Sequence, residues 1–143
     1  GGWLPPSAAA VPRLLDLGVE GFLLRSTLRA VVAQRLVRVL CDSCKSTHEL
    51  TEPDIVEDPR YRVLGFAAGE TIYRPGGCER CGGTGYRGRA GIFELLELTD
   101  EVRPLVGAGA DASLIDSAAI RAGMTTMMDD AVRKCRLGIT AAP

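Results

Sequence analysis

The sequence predicts an α+β chain with a small four-cysteine insert in its middle and a bundle of helices at its carboxy-terminal end. Three observations carry that expectation. Two C-x-x-C pairs, Cys41-Asp-Ser-Cys44 and Cys78-Glu-Arg-Cys81, close the two ends of one stretch. Tyr86 to Leu98 has the β-branched, aromatic and leucine content of a strand. Apolar residues recur at helical spacing on both sides of the insert, with glycines where such helices would stop.

Taken in order, the first residues, Gly1 to Pro6, hold two prolines and Trp3 and predict no fold of their own. Val11, Leu14 and Leu15 predict a short helix over 8–17, entered near Pro12 and stopped by Gly18. A brief apolar piece, Val19 to Leu24, follows. Ser26 then reads as the cap of a helix from Thr27 to Leu40, with Leu28, Val31, Val32, Leu36 and Val39 on its apolar face. That helix would be a rigid rod leading into Cys41. Within the insert, Glu49, Glu52, Asp54, Glu57 and Asp58, broken by Pro53 and Pro59, predict a helical turn and loops. Val63 to Phe66 reads as a short apolar contact, and Thr71 to Tyr73 as a short strand. Beyond the returning strand, three helices are expected: from a cap at Thr99 or Asp100 through Val106, from Ala112 to Ala122, and from Thr126 to Leu137. Packed together they would make the bundle. The resulting division is 1–40, the insert 41–85, the returning strand 86–98 and a helical subdomain 99–143.

The cysteines carry the chemistry. Four thiolates in a tetrahedron satisfy a zinc ion with no vacant position, so Cys41, Cys44, Cys78 and Cys81 predict a structural Zn2+ site. Gly76 and Gly77 before the second pair, and Gly82, Gly83 and Gly85 after it, allow the backbone to fold around a metal. Lys45 and Arg80 place positive charge beside the thiolates. Iron accepts the same four ligands, and spacing does not separate the two metals. Two disulfides would require an exporting compartment, and the sequence shows no signal peptide. A thioredoxin-like role needs a pair that opens a helix, whereas the second pair lies in a glycine turn. His48 would have to displace one of four well-spaced cysteines to become a ligand. Cys135 has no partner pair and reads as an ordinary helix residue.

Composition excludes several classes. With 143 residues and a net charge of −1, the chain suits one ordinary domain or two very small ones and exerts no bulk pull on nucleic acid. Trp3, three tyrosines and three phenylalanines make a poor stacking platform for single strands. No apolar run is long enough to span a bilayer, which predicts cytoplasmic residence. There is no G-x-x-x-x-G-K-[ST], and Gly82-Gly-Thr-Gly85 lacks the lysine that would make it a phosphate cradle. A single histidine and no G-x-S-x-G leave no nucleophilic triad. Arg35 and Arg38, with Arg87 and Arg89, could converge on a phosphate or on a neighbouring subunit's carboxylate, or simply form solvated faces with ordinary salt bridges. Glu94, alone in an apolar strand, is a plausible partner for one of them. Met124, Met127 and Met128 read as core filling.

The order of motifs resembles one family. Ala33-Gln-Arg-Leu-Val-Arg38 leads into Cys41-x-x-Cys44; Gly77-Cys-Glu-Arg-Cys81 and Thr84-Gly-Tyr-Arg-Gly-Arg-Ala-Gly-Ile-Phe-Glu-Leu-Leu96 follow. Val11 to Leu24, Gly123-Met-Thr-Thr, Asp130-Ala-Val-Arg-Lys134 and Gly138-Ile-Thr140 complete the series. Together they resemble the assembly ATPases of bacterial type II secretion, the GspE type, and their type IV pilus relatives of the PilB kind. The resemblance implies the carboxy-terminal portion of a longer protein, with 1–40 as the helical remnant of a RecA-like domain whose P-loop lies upstream. It implies a homo-hexamer that uses ATP and Mg2+ at the inner membrane, in contact with inner-membrane secretion platform proteins. The acid- and proline-rich loop is the expected place for that contact. Without Walker motifs this stretch is not expected to turn over ATP alone. Both ends depart from the family pattern: Gly-Gly-Trp-Leu-Pro-Pro stands where a histidine-containing stretch is usual, and an acidic helix is expected after Thr140. The four cysteines match the family's tetracysteine motif one for one. Cys78-x-x-Cys81-Gly-Gly-Thr-Gly85 also resembles the zinc turns of Hsp40 chaperones, which repeat the unit four times, so a stand-alone zinc-binding interaction module is the competing class.

Overall fold

A computed structural model describes residues 6–107 and 109–142. The ragged start expected at Gly1 to Pro6 lies outside them except for Pro6. Helix α1 (Pro6–Asp16) begins ahead of Pro12, which sits inside it and not at its entry. The apolar piece after it is itself a helix, α2 (Gly21–Thr27). Next comes the largest departure from expectation, because residues 30–40 form a strand, β1 (Ala30–Leu40), and not a helix. Ser26 does not cap a following helix. Its hydroxyl donates back to Phe22 O at 2.8 Å in the last turn of α2, and Leu28 is already extended. The apolar residues of this stretch fit either period, but Val31, Val32, Val37 and Val39 are β-branched and favour the pleat. The chain therefore enters its first cysteine turn from a strand.

Strand β2 (Ser46–Glu49) pairs antiparallel with β3 (Thr71–Arg74), His48 opposite Ile72. Between them lie the expected helical turns, α3 (Glu52–Glu57) and α4 (Arg60–Val63). Thr51 caps α3 with a reciprocal box: its hydroxyl accepts from Asp54 N, and Asp54 accepts from Thr51 N. The returning strand is present as β4 (Tyr86–Glu97), hydrogen-bonded to β1. The helix expected from Thr99 to Val106 is only a 3-10 turn at Arg103–Leu105, broken by its own Pro104. Helices α5 (Ala112–Arg121) and α6 (Met127–Arg136) stand where the pattern put them.

The chain divides into two compact units, residues 1–34 with 93–127, and residues 35–92 with 128–143. In the first, Ala8, Val11, Leu24, Leu96, Val102, Val106 and Ile115 form the core. In the second, Leu50, Ile55, Tyr61, Phe66, Ile72, Val132 and Cys135 do so. Among the described residues the expected carboxy-terminal bundle does not share one core: α5 contributes to the first core and α6 to the second. Their apolar faces are spent on different partners. No helix among the described residues is long and apolar enough to cross a membrane.

Candidate metal centre

Two backbone turns present the four sulfurs. Where β1 ends, the N–H groups of Cys44 and Lys45 both donate to Cys41 O, at 3.3 and 2.9 Å, which folds the first turn back on itself. The second turn is a 3-10 turn over Glu79–Cys81, ended by Gly82 at φ 68. Cys41 N donates to Gly85 O at 2.9 Å and ties one turn to the other. The glycines serve this approach in different ways. At Gly76 a Cβ would stand 2.4 Å from Cys44 O, so the second arm reaches the first only because that atom is missing. Gly85 combines φ 82 with a Cβ position 2.6 Å from Pro75 Cβ.

The sulfurs meet. All four Sγ atoms lie within 4.8 Å of one another, and Cys41 to Cys78, Cys44 to Cys81 and Cys78 to Cys81 are 3.8, 3.8 and 3.7 Å. A disulfide needs about 2.05 Å. A tetrahedron with zinc–sulfur bonds of about 2.3 Å has sulfur–sulfur edges of roughly 3.8 Å. The observed spacing is the second of these, and the four cysteines could hold a metal ion with every position filled by protein. Cys41 is buried and the other three are half-buried.

Backbone dipoles already favour negative charge at one corner. The N–H of Cys78 donates to Cys81 Sγ at 3.3 Å and the N–H of Gly85 at 3.1 Å, and the first of these does most to bring the Cys81 thiol down to about 6. Burial pushes the Cys41 thiol up, but the backbone of Ser43 and the neighbouring thiols outweigh it and leave it lowered. Cys44 is pushed up to about 12, by burial first and then by its hydrogen bonds to Cys78, Cys41 and Cys81. A bound cation would supply the positive charge that the cluster lacks.

The remaining candidates have other partners. His48 Nε2 lies 2.8 Å from Asp54 Oδ2, and His48 is not part of the sulfur group. Lys45 pairs with Asp42 at 3.0 Å, and Arg80 donates to Ser43 Oγ at 3.3 Å. Arg38 stacks over the Tyr86 ring at 4.0 Å, whereas Arg35, Arg87 and Arg89 are exposed. Glu94 pairs with none of these arginines. It is 1% exposed and accepts hydrogen bonds from the Ser7 hydroxyl, from Ser7 N at 3.1 Å and from Met127 N at 3.0 Å. Those amides open α1 and α6, whose first-turn N–H groups have no partner within the helix. One carboxylate thus caps two helices. Burial, and then the charge of Glu94, push the Asp116 carboxyl up. Sequence reasoning missed this role, although the alternation Ile92, Glu94, Leu96 puts the acid on the inward face.

Four sulfurs at metal spacing on two glycine-bounded turns, carried by an α+β chain, define a protein with a tetracysteine cluster that could hold a metal ion. The sequence matches the family described as "Type II/IV secretion system protein" over residues 6–143, and the chain belongs to that family. It is 42% identical over 92% of its length to "Type II secretion system protein E" of Dickeya dadantii, covering 25% of that protein. It is 42% identical over 94% of its length to "Type IV pilus assembly ATPase PilB" of Thermus thermophilus, covering 15% of it. "Type II secretion system ATPase E" of Vibrio cholerae is 38% identical over 94% of the chain, which covers 26% of that protein. The chain therefore spans between 15% and 26% of the length of these relatives.

Proposed function

We propose that this chain is a carboxy-terminal piece of a GspE-type type II secretion assembly ATPase, and that Cys41, Cys44, Cys78 and Cys81 hold one structural Zn2+ in it. The observation that carries the reading is the set of sulfur–sulfur distances near 3.8 Å, on cysteines that lie within the stretch matched by the family. Zinc there would neutralise the thiolates and lock the two turns, with no vacant position for substrate. ATP hydrolysis, Mg2+ and the hexameric ring belong in this reading to the rest of the parent protein, which couples them to pseudopilus assembly. The parent works in the cytoplasm at the inner membrane, held there by platform proteins. The exposed, acid-rich α3, with Val56 71% exposed, is the proposed platform contact. Val32, Phe93 and Leu95 lie exposed on a ribbon of only two strands, a surface that suits cover by the RecA-like core of the longer protein.

Elemental analysis of the purified chain tests the site: one zinc per chain is expected, lost in Cys78→Ser. Iron, or no metal, would overturn it. Duty is tested separately, because relatives of both kinds match at 42%. Grafted into a full-length parent, residues 6–143 should restore secretion in a strain lacking its secretion ATPase. Restoring pilus extension alone would assign the chain to the pilus branch.

A further inference from the structure

Residues 138–140 leave the end of α6 and grip the chain on both sides of the first cysteine turn. Before the turn, Leu40 N donates to Ile139 O at 2.8 Å, and Thr140 Oγ1 donates to Arg38 O at 2.8 Å. After it, Lys45 Nζ donates to Gly138 O at 3.0 Å while lying 5.4 Å from the centre of the Tyr73 ring. The fit is close. Gly138 has φ 76, and a Cβ there would stand 3.0 Å from the Tyr73 ring, so only glycine brings its carbonyl to Lys45 without displacement. Thr140 is 8% exposed, so its hydroxyl bond is shielded from water.

We propose that residues 138–140 form a clasp whose closure is thermodynamically coupled to occupancy of the metal centre, an inference that rests on the zinc reading above. A metal fixes Cys41 and Cys44. The clasp holds Arg38, Leu40 and Lys45, the residues flanking them. Each event therefore orders backbone that the other would otherwise have to order, and the coupling is reciprocal by linkage. Loss of metal loosens the carboxy-terminal segment, and loss of the clasp weakens metal binding without touching a ligand.

Competition for zinc against a chromogenic chelator, with amide hydrogen exchange on the same chain, tests both directions. Thr140→Val changes no charge and should weaken zinc binding roughly fivefold. Lys45→Met, which removes a charged donor, should weaken it roughly tenfold. Thr140→Ser keeps the hydroxyl and should behave as wild type. Removing zinc should speed exchange at the Ile139 amide, which donates to Lys134 O and stands outside the cysteine turns. The clasp is refuted if Thr140→Val binds zinc as wild type does, or if Ile139 keeps its protection after chelation. It is refuted equally if Lys45→Met alone weakens zinc, since nearby charge would then be the cause, or if Thr140→Ser weakens it as Thr140→Val does. A wild-type chain that takes up no zinc overturns the zinc reading instead, and is recognised before any variant is compared.

Discussion

Each compact unit gathers polar groups at one centre, and the two satisfy those groups differently. In residues 1–34 and 93–127 the centre is Glu94, whose acceptor oxygens are met by the Ser7 hydroxyl and the amides of Ser7 and Met127. In residues 35–92 and 128–143 it is the sulfur cluster, where two amides serve Cys81 but Cys44 remains a high-pKa thiol. The carboxylate finds its positive ends in helix N-termini, so its site is complete in protein alone. Four sulfurs gathered within 4.8 Å cannot all ionise without repelling one another, and a bound cation would offset that charge. One centre is self-sufficient; on the zinc reading, the other makes folding depend on an ion.

The contrast breaks most readily at the sulfurs. Chelation, or Cys41→Ser, should remove a metal contribution on the order of ten kcal/mol from the cysteine turns. Amide exchange at Lys45 and Gly83 would register the loss, while the amides of Ser7 and Met127 should keep their protection. Loss of protection at both centres together would show that the first also depends on the ion. Gly76→Ala comes next, because its new Cβ meets a backbone oxygen and no flexible side chain can yield. A loss of about 3 kcal/mol, seen as a lower midpoint in denaturant for the metal-loaded chain, is expected. Glu94→Ala strikes the other centre and leaves two buried amides without acceptors, a loss of about 2–3 kcal/mol. Zinc content should not change. A variant that loses metal with Glu94 would erase the distinction.

How much of this was legible in the sequence follows the same division. The sulfur cluster was readable because two pairs of cysteines at fixed spacing announce it, and the glycines around it are local in sequence. Glu94 was visible only as an oddity: its partners stand 87 and 33 residues away, and no local pattern points to them. The clasp is similarly remote, Lys45 and Gly138 being 93 residues apart. The error at residues 30–40 had a different origin. Leu28, Val31, Val32, Leu36 and Val39 satisfy a helical count, yet Val31, Ala33, Val37 and Val39 are the half-buried set, which is the alternation of a strand. β-branched content was the better arbiter there. The α+β class, the short strand at Thr71, the returning strand and the last two helices were correct because each is bounded by glycine or a cap.

The smallest expected effect separates acid sensitivity of the fold from acid release of the metal. Asp54 is held down to about 2, first by its hydrogen bond to His48 and then by the backbone N–H of Thr51, against an ordinary value of 3.8. A carboxyl lowered on folding stabilises the folded chain fully above its unfolded value, and that stabilisation drains away as the pH falls from 3.8 toward 2. Protonating the thiolates also loosens the sulfur centre in acid, so acid unfolding of the wild type alone would confound the two. Asp54→Asn removes only the first contribution. Its stability should fall less steeply than that of wild type between pH 3.8 and 2, with zinc release following the same curve in both proteins. Since the Asp54 side chain is 26% exposed, solvent screens the pair and the difference in denaturant midpoint should be slight. If the two unfolding profiles superimpose, the α3 cap contributes nothing to acid stability, and the sulfur centre is left as the acid-labile element of its unit.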